Sequence, residues 1–266
     1  MIKQRLDQLL VARGLVDSRQ KAQALIRSGQ VRVAGEVVDQ PSFACADEVA
    51  LAVESQPPFV SRGGEKLQGA LDVFAPKLAE RVCLDGGIST GGFTDCLLQN
   101  GAARVYGIDV GYGQVAWKLQ TDPRVILKER CNLRNLQPEE LYKPEDPFPD
   151  FATVDISFIS VRLVLPALQR LLIAPRELLI LVKPQFEAGR DRVGRNGVVR
   201  EASTHRDVIS GLWQSAHVLG WGFLGLTGSP LVGPAGNHEY WLWLSQASQD
   251  LLEDPAIRQT VSETLG

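Results

Sequence analysis

The chain has 266 residues, 44% of them hydrophobic, with 28 Lys and Arg against 31 Asp and Glu for a net charge of −3. That content builds a packed core, and that charge excludes a nucleic-acid signature spread over the whole surface, so any nucleic-acid affinity has to come from a local patch. The three histidines and four cysteines (Cys45, Cys83, Cys96, Cys131) fall in no C-x-x-C or other metal-ligand spacing, and no metal is expected.

Met1-Ile2-Lys3-Gln4-Arg5 leads into no apolar signal core, and no stretch reaches the about 18 apolar residues of a membrane span. Cys83 and Cys96 lie in apolar stretches and read as buried thiols of a reducing compartment. The expectation is a cytoplasmic protein with no membrane partner. Residues 1–33 then hold seven basic residues, Lys3, Arg5, Arg13, Arg19, Lys21, Arg27 and Arg32, against Asp7 and Asp17. Leu6, Leu9, Leu10 and then Ala22, Leu25, Ile26 recur at helical spacing and predict two short amphipathic helices. Gly14 suits the end of the first, Asp17 or Ser18 a cap on the second, and Gly29 its close. Residues 31–38 predict a hairpin turning at Ala34-Gly35. Such basic runs are commonly a solvated helix face. Here the acids collect later, at Glu36, Asp39, Asp47, Glu48 and Glu54, so a one-sided basic face fits phosphate contact. From Arg5-Leu6-Asp7 through Gly29-Gln30-Val31-Arg32-Val33 and Gly35, the stretch resembles the S-four-type RNA-binding domain. Gln56-Pro57-Pro58-Phe59 follows as a stiff linker.

From residue 80 strands and helices alternate, which predicts a parallel sheet covered on both faces. Strands are expected at 81–85, 105–109, 125–127, 151–155, 177–183, 222–227 and 239–244, with helices through Asn100, over 160–173 and over 203–219. The first strand ends in Asp85 and opens a glycine loop, Gly86-Gly87-Ile88-Ser89-Thr90-Gly91-Gly92-Phe93. This loop lacks the G-x-G-x-x-G register of a dinucleotide site and the Gly-Lys-Ser/Thr ending of a phosphate loop. An acid ahead of the glycines suits a ligand with positive charge, such as a sulfonium and its amino group. Asp109, at the end of the next strand, can accept both ribose hydroxyls. The pairing favours S-adenosylmethionine over a pyrophosphate, although glycines after a strand can also be a plain tight turn.

Four islands each put one charged residue into an apolar or glycine-rich setting: Lys66, Asp155, Lys183 and Glu239. They are either unrelated surface charges or one cleft in which two lysines and two carboxylates neutralise one another. The second arrangement can hold a lysine neutral, as removing a ribose hydroxyl proton requires. Three of the four lie at or just after predicted strand ends, where an open α/β sheet builds its site.

Ser61-Arg62-Gly63-Gly64-Glu65-Lys66-Leu67, the Asp85 glycine loop, Tyr106-Gly107-Ile108-Asp109-Val110-Gly111, Asp155-Ile156-Ser157-Phe158-Ile159-Ser160 and Val182-Lys183-Pro184-Gln185-Phe186-Glu187 together resemble the TlyA family over essentially the whole chain. That family comprises ribosomal RNA ribose methyltransferases historically called haemolysins. The resemblance implies a Rossmann-like class I methyltransferase domain of the FtsJ type over 61–250, a small N-terminal α+β RNA-binding domain over 1–56, a linker at 57–60 and a tail at 251–266. It places a Lys-Asp-Lys-Glu set on Lys66, Asp155, Lys183 and Glu239. It assigns S-adenosylmethionine to Asp85, Gly86, Gly87, Ser89, Thr90, Gly91, Gly92, Phe93, Asp109, Val110 and Asp155, with Glu129, Arg130 and Asn132 on the adenine side. Ribosomal RNA or ribosomal subunits become the partner, met by Arg5, Arg13, Arg19, Lys21, Arg27, Arg32 and Arg62.

The implied reaction is methyl transfer to a ribose 2′-hydroxyl, with Lys183 as general base, Asp155 orienting it, and Glu239 and Lys66 holding the ribose. A lysine snorkelling from a strand end is the plainer reading of Lys183. Gly189 to Gly197 is long and basic, and its Arg190, Arg192 and Arg195 suit either an RNA clamp or an ordinary surface loop. Trp213, Trp221, Trp241 and Trp243 fit core packing better than base stacking. Two other functions stay open at this point: a catalytically idle RNA-binding assembly factor, and a membrane-active haemolysin.

Overall fold

The computed structural model describes residues 3–54 and 57–266; Met1, Ile2, Ser55 and the linker residue Gln56 lie outside the described residues. The chain divides into two compact units, Met1–Pro57 and Pro58–Gly266.

The first unit runs β1 (Lys3–Arg5), α1 (Leu6–Ala12), α2 (Arg19–Arg27), β2 (Val31–Val33), β3 (Glu36–Val37), β4 (Ala44–Ala46) and β5 (Leu51–Val53). Both expected helices form, and the Ser18 hydroxyl caps α2 by accepting from the Lys21 amide at 3.3 Å. The hairpin turns at Ala34 and Gly35, with φ of +52° and +90°, the doubly left-handed turn that matches strand twist. Leu6, Leu9, Leu10, Ala22 and Ile26 close a small core over Val31 and Val33. Beside it Asp7 is fully buried and accepts from Arg5, Arg19 and Gln23, which hold its carboxyl well below the usual range.

The second unit begins with α3 (Arg62–Phe74), then β6 (Val82–Gly86), α4 (Gly92–Gln99), β7 (Arg104–Ile108), α5 (Trp117–Gln120), β8 (Val125–Lys128), α6 (Pro138–Leu141) and β9 (Phe151–Val154). It continues through α7 (Leu165–Leu171), β10 (Glu177–Val182), α8 (Pro184–Glu187), α9 (Ala202–Val218), β11 (Gly222–Gly228), β12 (Tyr240–Ser245) and α10 (Asp254–Leu265). The sheet order is β11-β12-β10-β9-β6-β7-β8. The five strands from β10 to β8 are parallel, while β12 runs antiparallel between β10 and β11. This is the α/β, Rossmann-like class I arrangement that the sequence predicts. Side chains alternate across it: Leu178, Ile180 and Val182 of β10 enter one core layer, Leu179 and Leu181 the other. Trp221 and Trp241 are fully buried.

Three stretches depart from expectation. The helix expected over 160–173 is split into a single 3-10 turn at Val161–Leu163 and α7, because Pro166 has no amide to donate and starts a new helix. The segment set apart as a tail contains α10, which buries Ile257 and Val261 and begins with Pro255 in its first turn. Phe59, read as linker, packs into the core against Gly64.

Candidate active site

The site lies outside the carboxyl ends of β6, β7, β9 and β10, around the point where chain order along the sheet reverses between β6 and β9. After β6 the backbone turns sharply. Gly87 and Gly91 have φ of +92° and +96°, and a Cβ on Gly87 would collide with the Asp155 backbone oxygen. Gly92 opens α4 against Ser61 and Gly64, which brings α3 and Lys66 over the loop. Beneath it Asp85 is fully buried, accepting from the Thr94 hydroxyl at 2.7 Å and the Thr153 hydroxyl at 3.4 Å. Burial pushes its pKa up to about 7, opposed by the Thr94 bond and helped by the charge of Asp155.

Two adjoining cavities open above the loop. The smaller, about 320 Å³, is walled by Ile108, Val110, Leu133, Ile156, Ile159 and Val164. Among the described residues its lining carries two carboxylates, Asp109 and Asp155, and no basic side chain. Asp109 already accepts from the Ser89 amide at 2.8 Å and the Gly111 amide at 2.7 Å, which leaves lone pairs on both oxygens for further donors. The larger, about 520 Å³, is lined by Arg62, Lys66, Asp155, Lys183, Phe186 and Glu239 among others. Asp155, Ser157 and Phe158 belong to both cavities.

The four charged islands therefore meet at one cavity, as two ion pairs. Lys66 donates to Glu239 at 2.5 Å, joining α3 to the residue before β12. Lys183 stands 2.5 Å from Asp155 and donates to the Ser157 hydroxyl at 3.0 Å. Phe158 is 89% exposed, with φ of +71°, and its ring lies 5.4 Å from that of Phe186. A bulky residue in the left-handed region is strained, and strain of this kind clusters at functional sites.

The FtsJ-like methyltransferase family matches residues 59–246, and the S4 domain family residues 4–48. The 16S/23S rRNA (cytidine-2'-O)-methyltransferase TlyA of Mycobacterium tuberculosis is 46% identical, across 97% of this chain and 97% of that one. The chain belongs to the TlyA family of FtsJ-like methyltransferases. Hemolysin A of Brachyspira hyodysenteriae is 36% identical across 89% of this chain and 97% of that protein. A solved structure of a candidate hemolysin from Streptococcus thermophilus superposes with a TM-score of 0.75 at 39% identity, covering 99% of this chain and 96% of that one.

The residues that the TlyA resemblance assigns to the cofactor do not all reach a cavity. Gly87, Ser89, Asp109, Val110, Asn132 and Asp155 line the smaller one, and Thr90, Gly92 and Phe93 line the larger. Asp85, Gly86 and Gly91 line neither and shape the loop from below. Glu129 and Arg130 face a neighbouring hollow, where Glu129 accepts from the Gly113 amide and Arg130 lies 4.1 Å over the Tyr112 ring.

The basic residues of the first unit are largely engaged within it. Arg5 and Arg19 pair with Asp7, Lys21 with Asp17, Arg32 with Glu54, and Arg13 donates to the backbone of Asp47 and Val49. Arg27 is exposed and forms no ion pair among the described residues. In the second unit Arg62 reaches the Val232 carbonyl, Arg192 pairs with Asp207, and Arg190 and Arg195 are exposed. Ser157 and Phe158 have no part in the roles that the sequence assigns, and both line the two cavities. The signal was there, a hydroxyl and an aromatic directly after the acid at a strand end. Among the described residues no group of His, Cys, Asp and Glu is placed to hold a metal, and no helix is long and apolar enough to cross a membrane.

Proposed function

We propose that the chain methylates a ribose 2′-hydroxyl of ribosomal RNA in the cytoplasm, with S-adenosylmethionine in the smaller cavity and the target nucleotide in the larger. The observation that carries this reading is the shared wall: the Lys183–Asp155 pair and Phe158 stand where the two cavities meet. A cavity with two carboxylates and no base fits a nucleoside bearing a cationic sulfonium and ammonium, and repels a pyrophosphate. The larger cavity sets three cations, Arg62, Lys66 and Lys183, against the carboxylates of Asp155 and Glu239, and this net positive lining suits an anionic backbone. The mycobacterial relative acts on cytidine, which makes cytidine the candidate target here.

When bound, S-adenosylmethionine supplies the methyl group on a positively charged sulfur. Asp109 accepts from the ribose hydroxyls of that ligand, and the apolar walls exclude water. On the RNA side, Phe158 with Phe186 offers a stacking face for the nucleobase. Lys66 and Glu239 hold the ribose. Lys183 in its neutral form takes the 2′-hydroxyl proton at Nζ, while Asp155 and Ser157 fix the direction of that amine. The first unit contributes RNA affinity.

The test is methyl transfer from labelled S-adenosylmethionine to isolated small and large ribosomal subunits, followed by mapping of ribose methylation. Label on a cytidine 2′-oxygen is the expected result. RNA binding without any transfer would favour an assembly factor, and lysis of erythrocytes with no transfer would favour a haemolysin.

A further inference from the structure

Glu239 is flanked by two residues with no part in the reaction as proposed, Asn237 and Tyr240. Both reach the same place. Asn237 is 2% exposed, and its side-chain oxygen accepts from the Val199 amide at 3.0 Å while its amide group donates to the Gly197 carbonyl at 2.8 Å. One partner is a donor and the other an acceptor, so only a carboxamide satisfies both. The Tyr240 hydroxyl lies 2.9 Å from Nδ1 of the fully buried His205, whose Nε2 lies 3.1 Å from the Val199 carbonyl. A carbonyl can only accept, so Nε2 carries the proton and Nδ1 accepts from Tyr240. Both backbone groups of Val199 are thus held by side chains, one from Asn237 and one relayed from Tyr240. Val199 closes the basic loop that bears Arg190, Arg192 and Arg195. On the other side of Asn237, its carbonyl accepts from the Gly233 amide at 2.8 Å, and Gly233 lies so close to the Glu239 carboxylate that a Cβ would come within 2.7 Å of it.

We propose that Asn237 and His205 are positioning residues that latch the Gly189–Val199 loop to Glu239, so that the loop's grip on RNA and the setting of the Lys66–Glu239 pair are one arrangement. This rests on the methyl-transfer reading above. A pair of unrelated buried hydrogen bonds would not converge on one loop residue from both sides of a site carboxylate.

The test uses the full chain, isolated small and large ribosomal subunits and labelled S-adenosylmethionine. Asn237→Ala is expected to raise trypsin cleavage within the loop roughly tenfold, and to raise the KM for subunits and lower the single-turnover rate by similar factors, as buried hydrogen bonds are left unmade. Affinity for S-adenosylmethionine, read by calorimetry, stays at the wild-type value, since the smaller cavity draws on none of these residues. His205→Phe reproduces the pattern. In a double-mutant cycle with Glu239→Gln the rate losses fail to multiply, because both changes act on one carboxylate. Losses that multiply fully, or a loop no more open to trypsin than in the wild type, overturn the latch. If Asn237→Ala does not fold, Asn237→Asp carries the same test, since it keeps the Val199 bond and sets an oxygen against the Gly197 carbonyl. A wild-type chain that transfers no methyl group to either subunit refutes the methyl-transfer reading and leaves the trypsin result to decide the latch alone.

Discussion

Two lysine–carboxylate pairs stand at one cavity with the same 2.5 Å separation and equally buried lysines, yet their carboxylates live differently. The Glu239 side chain is 2% exposed and closes onto Lys66 between two distant elements. The Asp155 side chain is 25% exposed, faces both cavities, and shares Lys183 with the Ser157 hydroxyl. A pair this deeply buried cannot be opened cheaply, because one partner alone would be a stranded charge. A pair open to solvent and ligand can exchange partners during a reaction. Burial thus separates a closed pair from an open one.

Breaking the open pair should have the largest effect on chemistry. Lys183→Ala is expected to lower single-turnover methyl transfer by roughly 10²–10⁴-fold with RNA and cofactor still bound, the span typical of a lost general base. Lys183→Arg should not restore it, since a guanidinium does not give up its proton. A wild-type rate in either variant would hand the base role to Glu239 and erase the contrast between the pairs.

The closed pair is expected to answer in stability. Lys66→Ala should cost roughly 3–5 kcal/mol in urea denaturation, the usual result of stranding a buried charge. The double variant Lys66→Met with Glu239→Gln should recover part of that loss, and a double variant as unstable as the single would contradict a stability role for the buried pair.

Asp85 sharpens the comparison as a buried carboxylate whose side-chain partners among the described residues are two threonine hydroxyls and no cation. Its folded pKa, pushed up to about 7, lies above the unfolded value of roughly 3.9. At low pH both states are neutral and the group contributes nothing. Between the two values the folded state holds a proton that the unfolded state has lost, so stability falls as pH rises, and above about 7 the full penalty remains. Asp85→Asn should therefore gain on the wild type by about 2–4 kcal/mol between acid and neutral pH, measured by denaturant unfolding. A pH-independent difference would mean that the carboxyl titrates in the folded chain as it does in the unfolded one. The smallest effect is expected at Asp109, whose partners are backbone amides: Asp109→Ala should weaken S-adenosylmethionine binding by roughly 1–3 kcal/mol in calorimetry.

Much of this was legible because it depends on period and punctuation. Strand ends marked by Asp85, Asp109, Asp155 and Lys183 located the rim of the sheet, and the glycines after Asp85 located its sharpest turn. What could not be read was depth. Asp85 and Asp109 look alike in sequence, yet one lies under the loop with two threonines and the other lines a cavity. The basic residues of the first unit read as a free face, whereas Asp7, two positions from Arg5, draws two of them inward. The helix α3 went unread because Gly63 and Gly64 resemble a turn, when their missing side chains let Phe59 and Phe93 approach.

The place of β12 has a consequence for synthesis. Every residue lining the smaller cavity lies between Gly87 and Ile159 or at Val164, so that chamber can form from one continuous stretch of nascent chain. The larger chamber needs Lys66, Lys183 and Glu239, and Lys66 waits for a partner 173 residues downstream. Because β12 inserts between β10 and β11, its arrival is a late, long-range event of the kind that slows folding. An unfinished copy emerging from a ribosome therefore has every lining residue of the smaller chamber while the larger still lacks Glu239.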